Sequence, residues 1–300
     1  MKKETCFFYF LFFILFFYGC ISMKIKNSDT ILSNKLNNET NLTKYLDAKN
    51  WNRLFPNRFH LSKYPDSSFI GLPRREFYSF DAFVAAAKLF PLFLSEGGDS
   101  LQRRELAAFL ANISHETNGG WDEAPGGMEK WGLYFVQEKG FPNNQFNYID
   151  TSKRKWLPAD GKSYHGRGPM QLSWNYNYGQ FSEAYFGNKQ ILLDNPDLLL
   201  QDSVLCFASA IWFWVHDQYP KPSCHAIITS QWEPSPKDLA GGRLPGFGAV
   251  VNVINGGLEC GENHSDRTKY RYAFYQYFCN YLHVGQGPNA ECSNQKQFGK

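Results

Sequence analysis

The apolar side chains between residues 103 and 117 recur at intervals of three and four, which is the period of one helix face. The residues that form this stripe are Leu106, Phe109, Leu110 and Ile113. Glu116 continues the stripe, so a carboxyl group is expected beside the apolar face at the end of a helix. Gly119 and Gly120 predict where that helix ends, because glycine readily adopts the left-handed conformation of a C-cap.

Helical periodicity covers three further segments, whereas strand signals are few and short. The three segments run from Asp81 to Leu89, from Ser203 to Val215 and from Arg267 to Leu282. The sequence therefore predicts a mainly α fold with a few short strands. Residues 51–292 are enough for one domain, and the 17% aromatic content is ample for its core.

A second glutamate, Glu138, lies in surroundings that differ from those of Glu116. It falls in a short aromatic run between Gly132 and Gly140 that is more extended than helical, and Lys139 is beside it. Partial burial favours the protonated form of Glu116, and the wetter setting favours the carboxylate of Glu138. Glycosidic hydrolysis needs one protonated and one ionised carboxyl group. The alternative interpretation is a helix-end residue and a surface charge.

Several motifs resemble the family 19 glycoside hydrolases, the chitinases typified by plant defence enzymes. The most specific is GRGPMQLSWNYNYG, from Gly166 to Gly179. The other matching segments are residues 77–91, 107–121, 195–197, 210–214, 220–225, 242–248 and 252–261. They occur in the family's order, from about residue 54 to residue 292. The resemblance implies a lysozyme-like, bilobal helical fold around a long substrate cleft.

The resemblance assigns catalytic roles to three residues. Glu116 would be the general acid that protonates the leaving sugar oxygen, and Glu138 the general base. The family inverts the anomeric centre, which requires carboxyl groups roughly 6.5 to 9.5 Å apart with a water between them. Ser173 would help the base to hold that water. From the sequence alone, Ser173 is equally a candidate N-cap of the following helix.

The resemblance also implies a set of residues that bind substrate. They are Trp156, Gln171, Tyr176, Asn177, Lys221 and Asn255. Trp156 could stack on a sugar face or simply pack its loop. His115, Glu259 and Arg271 correspond to residues behind the acid, where an arginine between carboxylates adjusts proton affinity. Taken alone, Glu259 and Arg271 would be interpreted as surface ion-pair partners.

Three positions depart from the family pattern, which has cysteines where this chain has Tyr134, Asp150 and Pro158. The segment from residue 140 to residue 161 is therefore expected to be mobile or to be held by aromatic packing. The resemblance supports a disulfide between Cys260 and Cys292. Cys206, Cys224 and Cys279 would then be buried thiols, with a Cys206–Cys224 bridge as the open alternative.

The chain ends have polar or targeting character. Lys2 and Lys3 precede an apolar run from Cys6 to Tyr18, which predicts a signal peptide over residues 1–22 and secretion; a retained anchor is the alternative. Residues 23–50 are predicted to be a flexible polar leader and residues 293–300 a disordered tail. The net charge of +3 is nearly neutral, so no nucleic-acid partner is expected.

Three hypotheses about function follow. The first is a secreted, monomeric endochitinase that acts on chitin or chitooligosaccharides by inversion, without a cofactor, a metal or a stable membrane association. The second is a lysozyme-like enzyme that cleaves peptidoglycan. The third is a chitin-binding protein without turnover, which the presence of Glu116, Glu138 and Ser173 disfavours.

Overall fold

The computed structural model describes residues 40–59, 77–138, 147–263 and 266–299. The α-helices in these ranges are α1 (Leu42–Tyr45), α2 (Ala48–Leu54), α3 (Phe80–Ala87), α4 (Asp99–Glu116), α5 (Asn175–Phe186), α6 (Gln190–Asp194), α7 (Ser203–Val215), α8 (Cys224–Ile228), α9 (Pro236–Ala240), α10 (Phe247–Glu259) and α11 (Asp266–Tyr281). Short 3-10 helices are Pro56–Phe59, Met128–Trp131, Arg154–Trp156, Pro196–Leu200 and Gly261–Asn263.

The prediction of a mainly α fold is confirmed. In the described ranges, the predicted short strands reduce to isolated bridges, such as the one between Gln137 and Arg167. None of the helices there is long and apolar enough to cross a membrane. The predicted signal peptide and the first part of the leader, up to residue 39, lie outside the described residues.

Helix α4 lies in the centre of the core and carries Glu116 at its C-terminal end. All side chains from Leu106 to Ser114 are buried, although an amphipathic stripe alone would bury only one face. Helix α11 packs along α4, while α3 and α7 contribute Phe83 and Trp214. The rings of Phe83 and Phe109 stack at 5.7 Å, and Trp214 meets Phe109 edge-on at 5.4 Å. The core therefore fixes the position of the helix that ends in Glu116.

The other predicted helices also form close to their expected bounds. Helix α7 has the predicted limits, because Asp202 caps it by accepting hydrogen bonds from two backbone amides of its first turn. Helix α3 begins one residue earlier than predicted, after Ser79 accepts from Ala82 N. Helix α4 begins at Asp99, four residues before the predicted start. Its first turn is polar, with Arg103 donating to Asp99 at 2.6 Å, and hydrophobic periodicity does not detect a polar turn.

In the described residues, the last part of the predicted leader and most of the predicted tail belong to the folded domain. The end of the predicted leader is folded: Leu42 and Leu46 are buried, and Trp51 in α2 lies in the aromatic core. The predicted disordered tail packs on the domain, since the ring of Phe298 contacts Trp232 and Gln295 accepts a hydrogen bond from Asn252 at 3.1 Å. A few apolar side chains anchor each segment, which polar composition alone does not indicate.

The predicted disulfide joins Cys260, directly after α10, to Cys292. The other three cysteines of the described ranges, Cys206, Cys224 and Cys279, are buried and free, so the alternative Cys206–Cys224 bridge is not formed. The disulfide ties the C-terminal segment to the helix that carries Asn255 and Glu259.

Candidate active site

A cleft of about 910 Å³ contains the two glutamates that the sequence singled out. The same cleft is lined by every residue predicted to act in catalysis or substrate binding: Glu116, Glu138, Trp156, Gln171, Ser173, Tyr176, Asn177, Lys221 and Asn255. His115, Glu259 and Arg271 lie behind Glu116. The structure thus brings the predicted residues together, and their individual roles stay predictions.

The end of α4 is shaped by Thr117 and not by glycine, so the predicted glycine cap is wrong. Thr117 is the C-cap, and its hydroxyl donates to Ile113 O at 2.5 Å and accepts from Leu133 N at 2.8 Å. Gly119 serves a different purpose, because a Cβ there would lie 2.3 Å from the ring of Tyr134. These contacts hold the turn after Glu116 against the segment that leads to Glu138.

Arg271 of α11 connects the carboxyl groups of Glu116 and Glu259. Its Nη2 donates to Glu116 Oε1 at 2.6 Å and to Glu259 Oε1 at 2.6 Å, and its Nε donates to Glu259 Oε2 at 2.9 Å. Its Nη1 donates to Asn112 Oδ1 at 2.8 Å, which anchors the guanidinium to α4. One arginine thus serves two carboxyl groups, so the cluster favours one proton.

Of the two carboxyl groups, Glu116 is the one whose surroundings favour the protonated form. Burial raises the pKa of Glu116, Arg271 opposes this, and the neighbouring charge of Glu259 raises it further. Burial would also raise the pKa of Glu259, but Arg271 and the Asn255 amide, which donates at 2.8 Å, lower it to about 2. Glu116 keeps 18% of its side chain exposed to the cleft and Glu259 none. Glu259 is therefore the fixed charge, and Glu116 is the group that can exchange a proton with substrate.

His115 contributes a neutral ring beside this cluster. Burial, reinforced by Arg271, lowers its pKa to about 3, although Glu259 Oε1 lies 3.8 Å from its Nε2. At neutral pH the imidazole therefore carries no charge. The placement agrees with a supporting position behind Glu116, as the resemblance implied.

Glu138 is held by a tyrosine and by backbone pairing. The hydroxyl of Tyr148 donates to Glu138 Oε1 at 2.7 Å, and the backbone amide of Glu138 donates to Gly166 O at 2.8 Å. Burial and the adjacent carboxylate raise the pKa of Tyr148, so its hydroxyl remains a donor. Glu138 thus points into the cleft from a loop that is fixed at both its main chain and its carboxylate.

Ser173 is not a helix N-cap, which removes the alternative interpretation of this residue. Helix α5 begins at Asn175 with Trp174 in the cap position and without a side-chain cap. The Ser173 hydroxyl instead donates to Gln171 O at 2.9 Å, and its oxygen can still accept from a water in the cleft. Asn177 Nδ2 donates to Ser173 O at 2.9 Å and fixes this turn.

Other cleft residues are also held in place by the fold. Asn255 breaks the helical geometry of α10, with φ −144° and ψ 30°, and donates to Glu259. Lys221 Nζ donates to Val253 O at 2.8 Å, and burial lowers its pKa. Trp156 packs on α5, where a Cβ on Gly179 would lie 2.4 Å from its ring, and it also lines the cleft. Both interpretations of Trp156 are therefore compatible with its position.

The loop that lacks the family's cysteines is held by a polar clamp. Asn175 is fully buried; its Oδ1 accepts from Asp150 N at 2.7 Å, and its Nδ2 donates to Asp150 O at 3.1 Å and Trp156 O at 2.6 Å. Tyr148 and Trp156 pack against the core, as one of the two alternatives predicted. Residues 139–146 lie outside the described residues.

Sequence reasoning missed three residues that support the site: Asn112, Tyr148 and Asn175. Asn112 lies in the buried stretch of α4, and no local pattern connects it with Arg271. No periodicity in the sequence indicates that the hydroxyl of Tyr148 meets Glu138. Asn175 lies in the recognised block from Gly166 to Gly179, which was the one signal that could have identified it.

The buried polar groups of Asn112, Glu259 and Arg271 bind one another. Nothing in the described ranges groups three or more histidine, cysteine or acidic side chains in a way that could hold a metal ion. A cleft with one buried, arginine-shared carboxyl group and one hydroxyl-bound carboxylate is typical of glycoside hydrolases.

Comparison with known proteins specifies the family. A family model described as class I chitinase matches residues 66–292. Endochitinase CH25 of Brassica napus is 52% identical over 226 residues, which are 75% of this chain and 68% of that protein. An endochitinase of Carica papaya is 51% identical over 227 residues, or 76% and 90% of the two chains. The chain therefore belongs to glycoside hydrolase family 19.

Solved structures agree with this assignment. Chitinase C from Streptomyces griseus is 30% identical with a TM-score of 0.62, covering 83% of this chain and 97% of that one. A class IV chitinase from Zea mays is 32% identical with a TM-score of 0.54, covering 73% and 88%. The predicted lysozyme-like, mainly α fold class is thereby confirmed.

Proposed function

We propose that this protein is an endochitinase that hydrolyses β-1,4 linkages between N-acetylglucosamine units by a single inverting displacement. The observation that carries the proposal is the pair Glu116 and Glu138, which line one cleft in dissimilar settings. Membership of family 19 and the likeness to proteins named endochitinases support the substrate class.

Glu116 acts as the general acid. In the resting state it carries the proton, because it is mostly buried and shares Arg271 with the ionised Glu259. As the glycosidic bond breaks, the proton moves to the leaving oxygen and Glu116 becomes a carboxylate. Arg271 then stabilises that new charge through the 2.6 Å hydrogen bond. The neighbours of Glu116 thus favour its protonated form before the reaction, and Arg271 stabilises its carboxylate afterwards.

Glu138 acts as the general base. It accepts a proton from a water that attacks the anomeric carbon from the opposite face of the ring, which inverts the configuration. Tyr148 donates to one carboxylate oxygen at 2.7 Å and Gly166 N to the other at 3.5 Å, and these two contacts orient the carboxylate for accepting the proton. The hydroxyl oxygen of Ser173, in the same cleft, is the second acceptor that positions this water.

Substrate recognition combines amides and rings. The carboxamides of Gln171, Asn177 and Asn255 can donate to and accept from acetamido groups and hydroxyls. Trp156 and Tyr176 offer aromatic faces to the apolar faces of sugar rings, and Lys221 adds a donor. Neither a cofactor nor a metal takes part in the proposed reaction.

The test is hydrolysis of chitin hexasaccharide by the folded domain, with Glu116→Gln and Glu138→Gln as matched variants and peptidoglycan as the competing substrate. Shorter oligosaccharides from the wild type and a loss of at least about 1,000-fold in each variant would support the proposal. Cleavage of peptidoglycan but not of the hexasaccharide would show that the protein is a peptidoglycan-cleaving enzyme. Binding of the hexasaccharide without turnover would establish a chitin-binding protein.

Secretion as a monomer, through a signal peptide over residues 1–22, completes the proposal. The charge pattern around the apolar run from Cys6 to Tyr18 supports it. N-terminal sequencing of protein recovered from the medium should begin close to residue 23, and light scattering should give the mass of one chain. Retention of the full-length chain in the membrane fraction would contradict secretion.

A further inference from the structure

Tyr219 is an exposed ring at the cleft that the proposed mechanism does not use. Among the large apolar side chains of the described ranges it has the greatest exposed fraction, 96%, and it lines the same cleft as the two glutamates. By contrast, Trp156 and Tyr176 are half-buried. Both faces of the Tyr219 ring are therefore accessible.

The exposure results from a fixed turn. Gln218 and Lys221 exchange two backbone hydrogen bonds of 2.9 Å, which places Tyr219 and Pro220 at the tip of a hairpin. Lys221 ties one side of the hairpin to Val253 O at 2.8 Å. On the other side, Asp217 Oδ1 accepts from Ser223 N at 2.8 Å. The backbone of the turn is therefore fixed at both ends, so presenting the ring to a ligand costs little backbone freedom.

The neighbouring cleft surface suits the apolar face of a sugar. Ile254 and Leu258 lie one helical turn apart on α10 and line the cleft with Tyr219, and Leu258 is 58% exposed. The faces of an exposed tyrosine ring are apolar, and they suit the apolar face of a sugar ring.

We propose that Tyr219 is a stacking platform for an N-acetylglucosamine ring beyond the two that flank the scissile bond. The platform makes the enzyme prefer long chitin chains over short oligosaccharides. This inference rests on the proposed function, because the ligand is the proposed substrate. The hydroxyl takes no part in chemistry, so the ring alone is required.

The experiment measures binding in the Glu116→Gln background by calorimetry, with chitin hexasaccharide and trisaccharide as ligands. Tyr219→Ala should weaken hexasaccharide binding about 3- to 10-fold and change trisaccharide binding less than twofold. Tyr219→Phe should retain the affinity. Leu239→Ala, which removes an exposed side chain of α9 outside the cleft lining, should leave both affinities unchanged.

Two results would overturn the platform alone: unchanged hexasaccharide binding by Tyr219→Ala, or an equal loss for both ligands, which would indicate a disturbed hairpin. Either can occur while the wild type still hydrolyses chitin hexasaccharide. Absence of both binding and hydrolysis of any chitin oligosaccharide would overturn the proposed function and the platform together.

Discussion

Replacing Glu259 by glutamine should lower the pKa of Glu116, because it removes the neighbouring negative charge that raises it. Both side chains accept from Arg271 Nη2 at 2.6 Å, so their two oxygens lie at most about 5 Å apart. At an effective dielectric constant of about 20, two unit charges at that distance interact by about 3 kcal/mol. Removing the charge of Glu259 leaves Arg271 to Glu116 alone and shifts its protonation equilibrium on the order of 100-fold.

The assay is the pH profile of kcat/KM on chitin hexasaccharide. The general acid must be protonated, so activity falls as pH rises through the pKa of Glu116. In Glu259→Gln that pKa is lower, so the alkaline limb should move to lower pH. At a pH on that limb, kcat/KM should fall on the order of 100-fold, and it should recover partly in acid. Asp238→Asn is the matched control, since it removes a carboxylate from Arg243, 2.8 Å away, at a site outside the cleft lining.

An unmoved alkaline limb in a folded Glu259→Gln variant would refute the reasoning. A uniform loss of activity at every pH would do the same, because it would show that Glu259 only positions Arg271. Thermal melting of both variants establishes that the comparison is made between folded proteins.

Three further predictions address the supports of the site. Tyr148→Phe should lower kcat about 10- to 100-fold with little change in KM, because it removes a hydrogen bond to the charged Glu138; an unchanged kcat would contradict this. Asn175→Ala should lower the free energy of unfolding in urea by about 1 to 3 kcal/mol, since it leaves the backbone of Asp150 unpaired, and equal stability would show that the clamp is dispensable. Cys292→Ser should cost about 3 to 4 kcal/mol in the same assay, and a loss below about 1 kcal/mol would contradict a stabilising bridge.

The helices were predictable because their signals are local. The stripe of α4 repeats every three or four residues, and the periodicity of α7 is equally short in range, so these helices form near the expected positions. Glu116 could be placed at the end of an apolar face for the same reason. Residues such as Glu138 and Asn255 are far apart in sequence. That they line one cleft could be expected only from the family resemblance, which the order of the motifs carries.

The contacts that tune the site could not be predicted from local patterns. Arg271 reaches Asn112 across 159 positions, and no periodicity connects them. The burial of Leu42 and Phe298 depends on partners elsewhere in the domain, so polar composition alone does not indicate it. Gly119 is required by the ring of Tyr134 and not by a helix cap, which only the folded structure shows.

The central claim is that Glu116 and Glu138 carry out a single inverting displacement. The most direct measurement is proton NMR of the first products of chitin hexasaccharide hydrolysis, recorded before the anomers equilibrate. The account predicts that the wild type releases α-anomeric reducing ends first and that Glu116→Gln releases none. Initial accumulation of the β-anomer would contradict it, since that outcome requires retention through a second displacement.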